Sequence, residues 1–179
     1  MKLINSMGPN PKVVRMFLAE LGMSVDLEEV DLMKAENRGE AYLAKNASGT
    51  TPALELDDGS YLCEIVAICE YLDEISDASS LIGNTAAERA EARMWSRRVD
   101  LNILEPLTNG FRYSEGQAIF KDRMRLIPQA ADDLKALAQE KITWLDGLMK
   151  DKEFVCGSRF TLADVLLFCF LEFGAQVGQ

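Results

Sequence analysis

The stretch TTPALELDDGSYLCEIVAICEYL, residues 50–72, predicts a β-hairpin followed by a helix. Residues 53–56 are expected to form the first strand, and residues 61–63 the returning strand. The four residues between them, Asp-Asp-Gly-Ser, suit a tight turn because Asp and Gly tolerate positive φ angles. From Glu64 onward, apolar residues recur at the spacing of an α-helix. The predicted helix therefore begins with a carboxylate, directly after the hairpin.

The residues before this stretch predict the rest of an α/β unit. Residues 2–5 can form a first strand, and a helix that starts near Pro11 is closed by Gly22. Apolar and polar residues alternate along residues 25–32 well enough to predict a second strand. Residues 36–45 predict a short helix. Together with the hairpin and its helix, the order is β-α-β-α-β-β-α, which predicts a thioredoxin-like fold.

The residues after this unit predict a purely helical second part. A polar linker is expected at residues 77–84, and a long helix at residues 85–107. A second helical tract covers residues 118–148, where Pro128 should bend or break the helix. Residues 162–173 predict a strongly apolar helix that is buried on all sides. We therefore expect an α/β domain at residues 1–76 and an all-α domain at residues 85–179.

The composition excludes several classes of partner and of chemistry. The 179 residues carry a formal net charge of -10, which argues against nucleic-acid backbones and anionic membranes as partners. The chain contains no histidine, which excludes catalysis by a histidine base and histidine-containing metal sites, and we expect no metal. The four cysteines lie in apolar patterns and predict reduced core thiols. The sequence shows neither an N-terminal leader of basic and apolar residues nor an apolar run long enough to span a membrane. We therefore expect a cytoplasmic protein.

Two motifs of the sequence resemble those of the glutathione transferases, which join a thioredoxin-like domain to an all-helical domain. The motifs are the hairpin between Pro52 and Glu64 and the string Phe-Thr-Leu-Ala-Asp at residues 160–164. The resemblance extends over residues 1–174. Members of the family carry a further loop and helix after the buried helix. We therefore expect the C-terminal end of the 85–179 domain to be incomplete.

The resemblance implies a glutathione-binding site around the hairpin. Pro52 is expected to follow a cis peptide bond, which would present the backbone N–H and C=O of Thr51 to the cysteinyl amide of glutathione. Glu64 would bind the amino group of the γ-glutamyl arm. Ile65 replaces the serine of the family pattern, so only its backbone N–H can bind the γ-glutamyl carboxylate. The short Thr50 stands where the family often has Lys or Gln. Further possible anion contacts are Lys12, Arg15 and Lys45.

The resemblance also implies that a residue just before the first helix stabilises the glutathione thiolate. Lowering a thiol pKa of about 8.5 by two units takes about 2.7 kcal/mol of preferential thiolate stabilisation, which one donor at a helix N-terminus can supply. The window Gly8-Pro9-Asn10 resembles the nu-class bacterial transferases, where an Asn amide lies near the sulfur. Asn10 is therefore the candidate catalytic residue. Two alternatives remain: Asn10 only caps the helix, or Ser6 is the donor.

The function that the resemblance implies is that of a homodimeric glutathione transferase. It would use glutathione as co-substrate and attack a small hydrophobic electrophile. Dimer contacts are expected from the helix that follows Glu64 and from the long helix, which carries Met94, Trp95 and Val99. Asp100 would face the γ-glutamyl amine bound by the other subunit. Two other functions stay open. One is a glutathione-dependent disulfide reductase, which the Asn-type window suggests, and the other is a non-catalytic protein that uses the fold for protein contacts.

Overall fold

The computed structural model describes residues 1–178 and divides the chain into two compact units. The first unit runs from Met1 to Ile82, and the second begins at Gly83. The first unit is α/β and the second is built from helices, so the predicted fold class is confirmed. The domain boundaries at residues 76 and 85 stay predictions, and the end of the second domain at residue 179 lies outside the described residues.

The first unit contains strands and helices in the order that the sequence predicts. The strands and the second helix are no longer than their predicted ranges, whereas the first helix starts two residues before Pro11. The helix after the hairpin starts at Ile65, one residue after Glu64, and extends to Ile75, beyond the pattern that ends at Leu72. A single 3₁₀ turn (Glu36–Arg38) precedes the second helix. The elements are β1 (Lys2–Asn5), α1 (Pro9–Glu20), β2 (Asp26–Glu29), α2 (Glu40–Leu43), β3 (Ala53–Glu55), β4 (Tyr61–Cys63) and α3 (Ile65–Ile75).

The sheet has the strand order β2-β1-β3-β4, with β1 at its centre beside β2 and β3. β1 runs parallel to β2 and antiparallel to β3, and β3 pairs antiparallel with β4 across the predicted hairpin. Ile4 and Leu54 from the sheet, Phe17 from α1 and Ile68 from α3 are fully buried. Because α1 and α3 also pack against each other, the starts of both helices are held by one core.

The second unit consists of helices joined by turns and loops, among them the loop of residues 149–161 before the last helix. Its elements are α4 (Ala86–Val99), a π-helical segment (Asp100–Leu104), α5 (Glu105–Tyr113), α6 (Gln117–Phe120), a 3₁₀ turn (Pro128–Ala130), α7 (Ala131–Leu148) and α8 (Leu162–Gln176). Pro128 opens the 3₁₀ turn between α6 and α7, so the predicted break in the second helical tract is confirmed.

The long helix predicted at residues 85–107 continues to Tyr113 through the π-helical segment. At the end of this segment the N–H of Glu105 donates to the carbonyl of Asp100, five residues earlier. Pro106 follows directly and has no N–H with which to continue an α-helical ladder. We therefore attribute the local change of helical repeat to Pro106, since a π-type turn accommodates an interrupted ladder within one helix.

The apolar helix α8 is anchored at its start by Asp164. Its two carboxylate oxygens accept hydrogen bonds from the N–H groups of Thr161 and Val155, each at 2.8 Å. The prediction that this helix is buried on all sides is wrong, because Phe168 is 51% exposed. A continuous apolar run shows that a helix is hydrophobic, but it does not show which of its faces the neighbouring helices cover. Within residues 1–178, no helix has the length and apolarity needed to cross a lipid bilayer.

Candidate functional site

The predicted site residues of the first unit meet at one edge of its sheet. β1 and β3 pair so that Ser6, just beyond β1, contacts Thr51, just before β3. β4 pairs with β3 and ends at Cys63, so Glu64 follows at the same edge. Helix α1, which carries Asn10, begins three residues after Ser6. The topology therefore brings a strand end, a helix start, the Thr51-Pro52 turn and a carboxylate to one side of the sheet.

Asn10 is the second residue of α1, and the capping alternative for it is wrong. The N-cap is Gly8, whose φ of 107° favours glycine, and no side chain caps the helix. Pro9 and Pro11 have no N–H, so Asn10 provides the only backbone N–H among the first three helical residues. Within residues 1–178 the Asn10 side-chain amide also makes no hydrogen bond. Asn10 thus supplies two kinds of N–H donor at one helix N-terminus.

Ser6 is buried and its hydroxyl is engaged inside the protein. Ser6 Oγ donates to the carbonyl of Met7 at 3.1 Å and lies 2.6 Å from Thr51 Oγ1. Since a hydroxyl has one hydrogen, Thr51 is the donor to Ser6 in this arrangement. These contacts make Ser6 a structural link between β1 and the turn before β3, and they disfavour Ser6 as the thiolate donor.

The peptide bond between Thr51 and Pro52 is cis, so that expectation is confirmed. Thr51 is buried, and its side chain points to Ser6. Within residues 1–178, neither its backbone N–H nor its backbone C=O has a hydrogen-bond partner. Buried backbone polar groups are almost always paired in folded proteins. An extended peptide ligand that pairs with Thr51 would satisfy both groups.

Three side chains that the sequence did not single out fix the residue before Thr51. The Tyr42 hydroxyl and the Asn46 side-chain amide donate to the carbonyl of Thr50 at 2.5 Å and 2.8 Å. Ser48 Oγ lies 2.7 Å from Thr50 Oγ1, and Asn46 Oδ1 accepts the N–H of Ser48 at 3.1 Å. Only the Asn-Ala-Ser-Gly turn signal at residues 46–49 could have indicated this network, since the Tyr42 contact depends on the fold.

Glu64 is the N-cap residue of α3 and has an unusual backbone conformation. Its φ is 71° and its ψ is 122°, and its side chain is exposed and caps no backbone N–H. A non-glycine residue in such a region costs about 1–3 kcal/mol, and residues of this kind cluster at ligand-binding sites. The exposed carboxylate is therefore held at the sheet edge by a strained backbone and is available to a cationic ligand group.

The start of α3 offers N–H donors beside this carboxylate. The carbonyl of Glu64 accepts the N–H of Ile68 at 2.9 Å, which is the first α-helical bond. The N–H groups of Ile65, Val66 and Ala67 precede it and have no partner within the helix. A helix N-terminus of this kind attracts a carboxylate. The carboxylate of Glu64 can bind an ammonium group, and the N–H of Ile65 can bind a carboxylate. Together they match the amino and carboxylate groups of a free amino acid.

Two of the possible anion contacts are engaged with protein groups. Arg15 donates to the side-chain oxygen of Asn5 and lies 3.5 Å from the carbonyl of Ser6. Lys45 forms an ion pair of 2.8 Å with Glu28, and this hydrogen bond is the main reason that the pKa of Glu28 is lowered. Neither cation is free to serve as the main contact of an anionic ligand.

Asp100 lies in the helical unit, at the start of the π-helical segment. It forms an ion pair of 3.1 Å with Arg97, at a partly exposed position. Partial burial raises the pKa of Asp100, although Arg97 acts in the opposite direction. The expected contact of Asp100 with a ligand of another subunit stays a prediction.

The cysteines are all free thiols, and three of them, Cys69, Cys156 and Cys169, are buried as predicted. Cys63 is only partly buried, although it too was expected in the core. Burial raises the pKa of Cys63, and the adjacent Glu64 raises it further. Cys63 is therefore poorly suited to act as a thiolate nucleophile. Among residues 1–178, no cluster of three or more Cys, Asp or Glu side chains could hold a metal ion.

The fold and the site define a protein with a thioredoxin-like unit followed by a helical unit, and comparison with known proteins identifies its family. Residues 8–75 match the family described as glutathione S-transferase, N-terminal domain, and residues 128–173 match its C-terminal domain. Glutathione S-transferase 2 of Saccharomyces cerevisiae is 32% identical over 95% of this chain and 74% of its own length. The chain belongs to the glutathione S-transferase family.

Two further proteins support this assignment over nearly the whole chain. Glutathione S-transferase GstA of Escherichia coli O157:H7 is 32% identical over 99% of this chain and 84% of its own length. The crystal structure of a glutathione S-transferase domain-containing protein from Marinobacter aquaeolei VT8 superposes with a TM-score of 0.93 and 34% identity. That superposition covers 99% of this chain and 88% of the other. The suspected family is therefore confirmed.

Replacing Tyr42 by Phe should destabilise the protein in a way that depends on pH. The change removes one of two hydrogen bonds to the Thr50 carbonyl and should cost about 1 kcal/mol at neutral pH. Burial raises the pKa of Tyr42 to about 12. The unfolded tyrosine ionises near pH 10, so the stability that Tyr42 contributes is complete below about pH 10 and is lost as the pH approaches 12. Urea unfolding should show the difference between wild type and Y42F shrinking over that range.

The matched control for this prediction is Tyr71→Phe. Tyr71 is partly exposed on α3, and within residues 1–178 its hydroxyl makes no hydrogen bond. Since Y71F breaks no hydrogen bond, it should leave the stability at neutral pH close to that of the wild type. A difference between wild type and Y42F that stays constant from about pH 8 to above pH 11 would contradict the shifted pKa of Tyr42.

Proposed function

We propose that this protein binds glutathione at the Thr51 edge and stabilises its thiolate for attack on a small hydrophobic electrophile. The observation that carries the proposal is the combination of the exposed Glu64 carboxylate with the Thr51 backbone groups and the N–H of Ile65, which have no partner among residues 1–178. Each of these groups is complementary to one part of the tripeptide. Membership of the glutathione S-transferase family supports the same substrate.

The recognition of glutathione follows from the polarity of these groups. The Thr51 N–H and C=O pair with the cysteinyl amide as a short antiparallel strand, which main-chain hydrogen bonds stabilise without any side chain. The γ-glutamyl amino group binds the carboxylate of Glu64, and its carboxylate binds the N–H of Ile65. Pro52 contributes by holding Thr51 in the turn where its backbone N–H and C=O have no partner among residues 1–178. Glutathione is bound as a co-substrate, and no metal takes part in this proposal.

Asn10 is the proposed catalytic residue, and it acts as a hydrogen-bond donor. The thiol proton passes to solvent, and the remaining thiolate accepts hydrogen bonds from the Asn10 side-chain amide and backbone N–H. Such bonds to a charged group contribute about 1.5–3 kcal/mol each, and the helix N-terminus adds about 0.3–2 kcal/mol. The thiolate then forms a bond to the electrophilic carbon while the leaving group departs with its electron pair. This mechanism needs no protein base, in a chain without histidine.

The cellular setting and the oligomeric state are part of the proposal. Four free cysteines are typical of a reducing compartment, so we propose that the protein acts in the cytoplasm. We also propose a homodimer formed through the helical run that contains α4. Trp95 and Val99 are buried within the helical unit, which corrects the expectation that they serve the dimer. Met94 is 40% exposed and Leu101 is 50% exposed, so these two side chains remain as the apolar dimer contacts of this helical run.

The first prediction of the proposal concerns Glu64. Replacing it by Gln removes the charge but keeps the shape, and should weaken glutathione binding about tenfold to one hundredfold in isothermal titration calorimetry, because a charged hydrogen bond is lost. Glu20→Gln, an exposed carboxylate at the end of α1, is the matched control and should leave affinity unchanged. Equal affinity of E64Q and wild type would remove Glu64 from the site. No binding by the wild type would favour a non-catalytic interaction protein.

The second prediction concerns Asn10 and the pKa of bound glutathione. At saturating glutathione, Asn10→Ala should raise the thiol pKa by about one to two units, because one hydrogen bond to the thiolate is lost. The ultraviolet absorbance of the thiolate as a function of pH measures this shift. Ser6→Ala should leave the pKa unchanged once glutathione is saturating. A pKa that responds to S6A and not to N10A would contradict the assignment. Turnover of a disulfide substrate but not of an electrophile would indicate a disulfide reductase instead.

The third prediction concerns the dimer. Light scattering at tens of micromolar should give the mass of two chains for the wild type and of one chain for the double variant M94E/L101E, because two charges would then have to be buried in the contact. Leu137→Glu, at an exposed position on α7, serves as the control and should remain dimeric. A monomeric wild type, or a dimer that survives M94E/L101E, would rule out this face.

A further inference from the structure

The N-terminus of α1 is not anchored by a cap at the helix end itself. Its N-cap residue is Gly8, which has no side chain, and among residues 1–178 no other side chain caps the helix. Pro9 and Pro11 lack an N–H and cannot donate a backbone hydrogen bond to a neighbouring segment. The position of Asn10 relative to the sheet therefore depends on contacts made further along α1.

Arg15, one turn after Pro11, makes such a contact. Side chains of an α-helix point back toward its N-terminus. The guanidinium of Arg15 accordingly donates to the side-chain oxygen of Asn5, the last residue of β1, and the same Nη1 lies 3.5 Å from the carbonyl of Ser6. Arg15 thus closes the loop between β1 and α1 and joins the first half of the helix to the end of the central strand.

Asn5 connects this contact to the neighbouring strand. It is only 5% exposed, and its amide uses both ends, since Oδ1 accepts from Arg15 and Nδ2 donates to Glu29 of β2 at 2.5 Å. An amide suits this place because it carries a donor and an acceptor on one planar group. A carboxylate here would repel Glu29, and an ammonium group would repel Arg15. We call Arg15, Asn5 and Glu29 the Asn5 network.

The backbone holds Asn5 firmly in this position. Asn5 and Glu29 are paired across the parallel strands β1 and β2, and the carbonyl of Asn5 accepts the N–H of Val30 at 2.9 Å. Hydrogen bonds to charged groups are stronger than neutral ones, and both side-chain bonds of Asn5 are of this kind. The Asn5 network therefore ties α1 to the two strands on which its start is built.

We propose that the Asn5 network positions Asn10 for its catalytic role. By fixing the start of α1 against β1, it keeps the two N–H donors of Asn10 at the distance and angle that a hydrogen bond to the glutathione thiolate requires. Arg15 and Asn5 are then positioning residues that act through Asn10 without touching glutathione. The inference rests on the proposed function, since it names the residues that support its thiolate site.

Two simpler roles of Arg15 make different predictions. If Arg15 only stabilises the fold, its variants should unfold more easily, but the folded protein should leave the pKa of the bound thiol unchanged. If its charge acts directly on the thiolate, lysine should replace it fully, and its effect should add to that of Asn10. The positioning role predicts partial rescue by lysine, because an ammonium group is more compact and more strongly hydrated than a guanidinium.

The experiment measures the thiol pKa of saturating glutathione from the ultraviolet absorbance of the thiolate. Arg15→Gln and Asn5→Ala should each raise this pKa by about half a unit to one unit, less than Asn10→Ala, because the donor is displaced but not removed. Arg15→Lys should restore part of the difference. Lys2→Gln is the matched control, since it removes a cation paired with Glu28 at the opposite end of β1, and it should leave the pKa unchanged.

Two further measurements test whether Arg15 acts through Asn10. The affinity of R15Q for S-methylglutathione, which has no ionisable thiol, should stay within about twofold of the wild type, because Arg15 does not touch the ligand. In a double-mutant cycle, R15Q should shift the thiol pKa less in the N10A background than in the wild type, since the side-chain donor that it displaces is then absent.

Several results would overturn the proposal. They are a thiol pKa that R15Q and N5A leave unchanged, full rescue by R15K with additive effects of R15Q and N10A, and a large loss of S-methylglutathione affinity in R15Q. Circular dichroism would establish that each variant is folded. If R15Q and N5A do not fold, Glu29→Ala decides the question, because it removes the exposed end of the network and should raise the thiol pKa in the same direction.

Failure of the proposed function is recognised separately, in the wild type. A wild-type protein that binds no glutathione, or leaves its thiol pKa near about 8.5, would contradict the proposed function. The ligand-free proteins then decide on the Asn5 network. The ¹H–¹⁵N heteronuclear NOE of the Asn10 backbone N–H should fall in R15Q and N5A and not in K2Q if the network holds the helix start. An unchanged NOE in R15Q and N5A would overturn the inference.

Discussion

The hydrogen bond between the hydroxyl groups of Ser6 and Thr51 is the contact on which the proposed glutathione site depends. At 2.6 Å, it joins the end of β1 to the turn before β3 across 45 residues of sequence. It draws the Thr51 side chain into the protein, so the Thr51 backbone N–H and C=O remain for a ligand. Tyr42 and Asn46 hold the preceding carbonyl from the other side. The ligand-binding edge is therefore fixed by buried neutral hydrogen bonds, which are costly to break because each leaves a polar group unpaired.

Charged side chains contribute little to the positive polarity of the site. The protein is strongly acidic, yet the proposed ligand carries carboxylates. Lys45 and Arg15 are engaged with Glu28 and Asn5, so positive polarity at the site comes from backbone N–H groups at the starts of α1 and α3. Such donors need no counter-ion and no mobile side chain. They fit a mechanism in which a thiolate is stabilised by preorganised dipoles and no protein base is required.

Much of the fold could be predicted from the sequence because its signals are local. The hairpin, the start of α1 to within two residues of Pro11, and the break at Pro128 each depend on residues a few positions apart. Tertiary contacts could not be predicted in this way. The sequence suggested Ser6 only as an alternative thiolate donor and did not single out Tyr42, and only the folded sheet brings both to the Thr51 turn. The exposure of Phe168 likewise depends on which helices cover α8. For the site, family resemblance indicated Thr51, Pro52, Glu64, Ile65 and Asn10, and their functional roles stay proposals.

The most direct test of the central claim is a ¹H–¹⁵N correlation titration of the wild-type protein with S-methylglutathione, which has no ionisable thiol. The account predicts that the backbone N–H signals of Thr51 and Ile65 and the side-chain NH₂ signals of Asn10 shift together along one binding curve. Signals of exposed residues elsewhere in the first unit, such as Asp26, should stay in place. Shifts that omit Thr51 and Ile65, or no saturable shifts at all, would contradict the account.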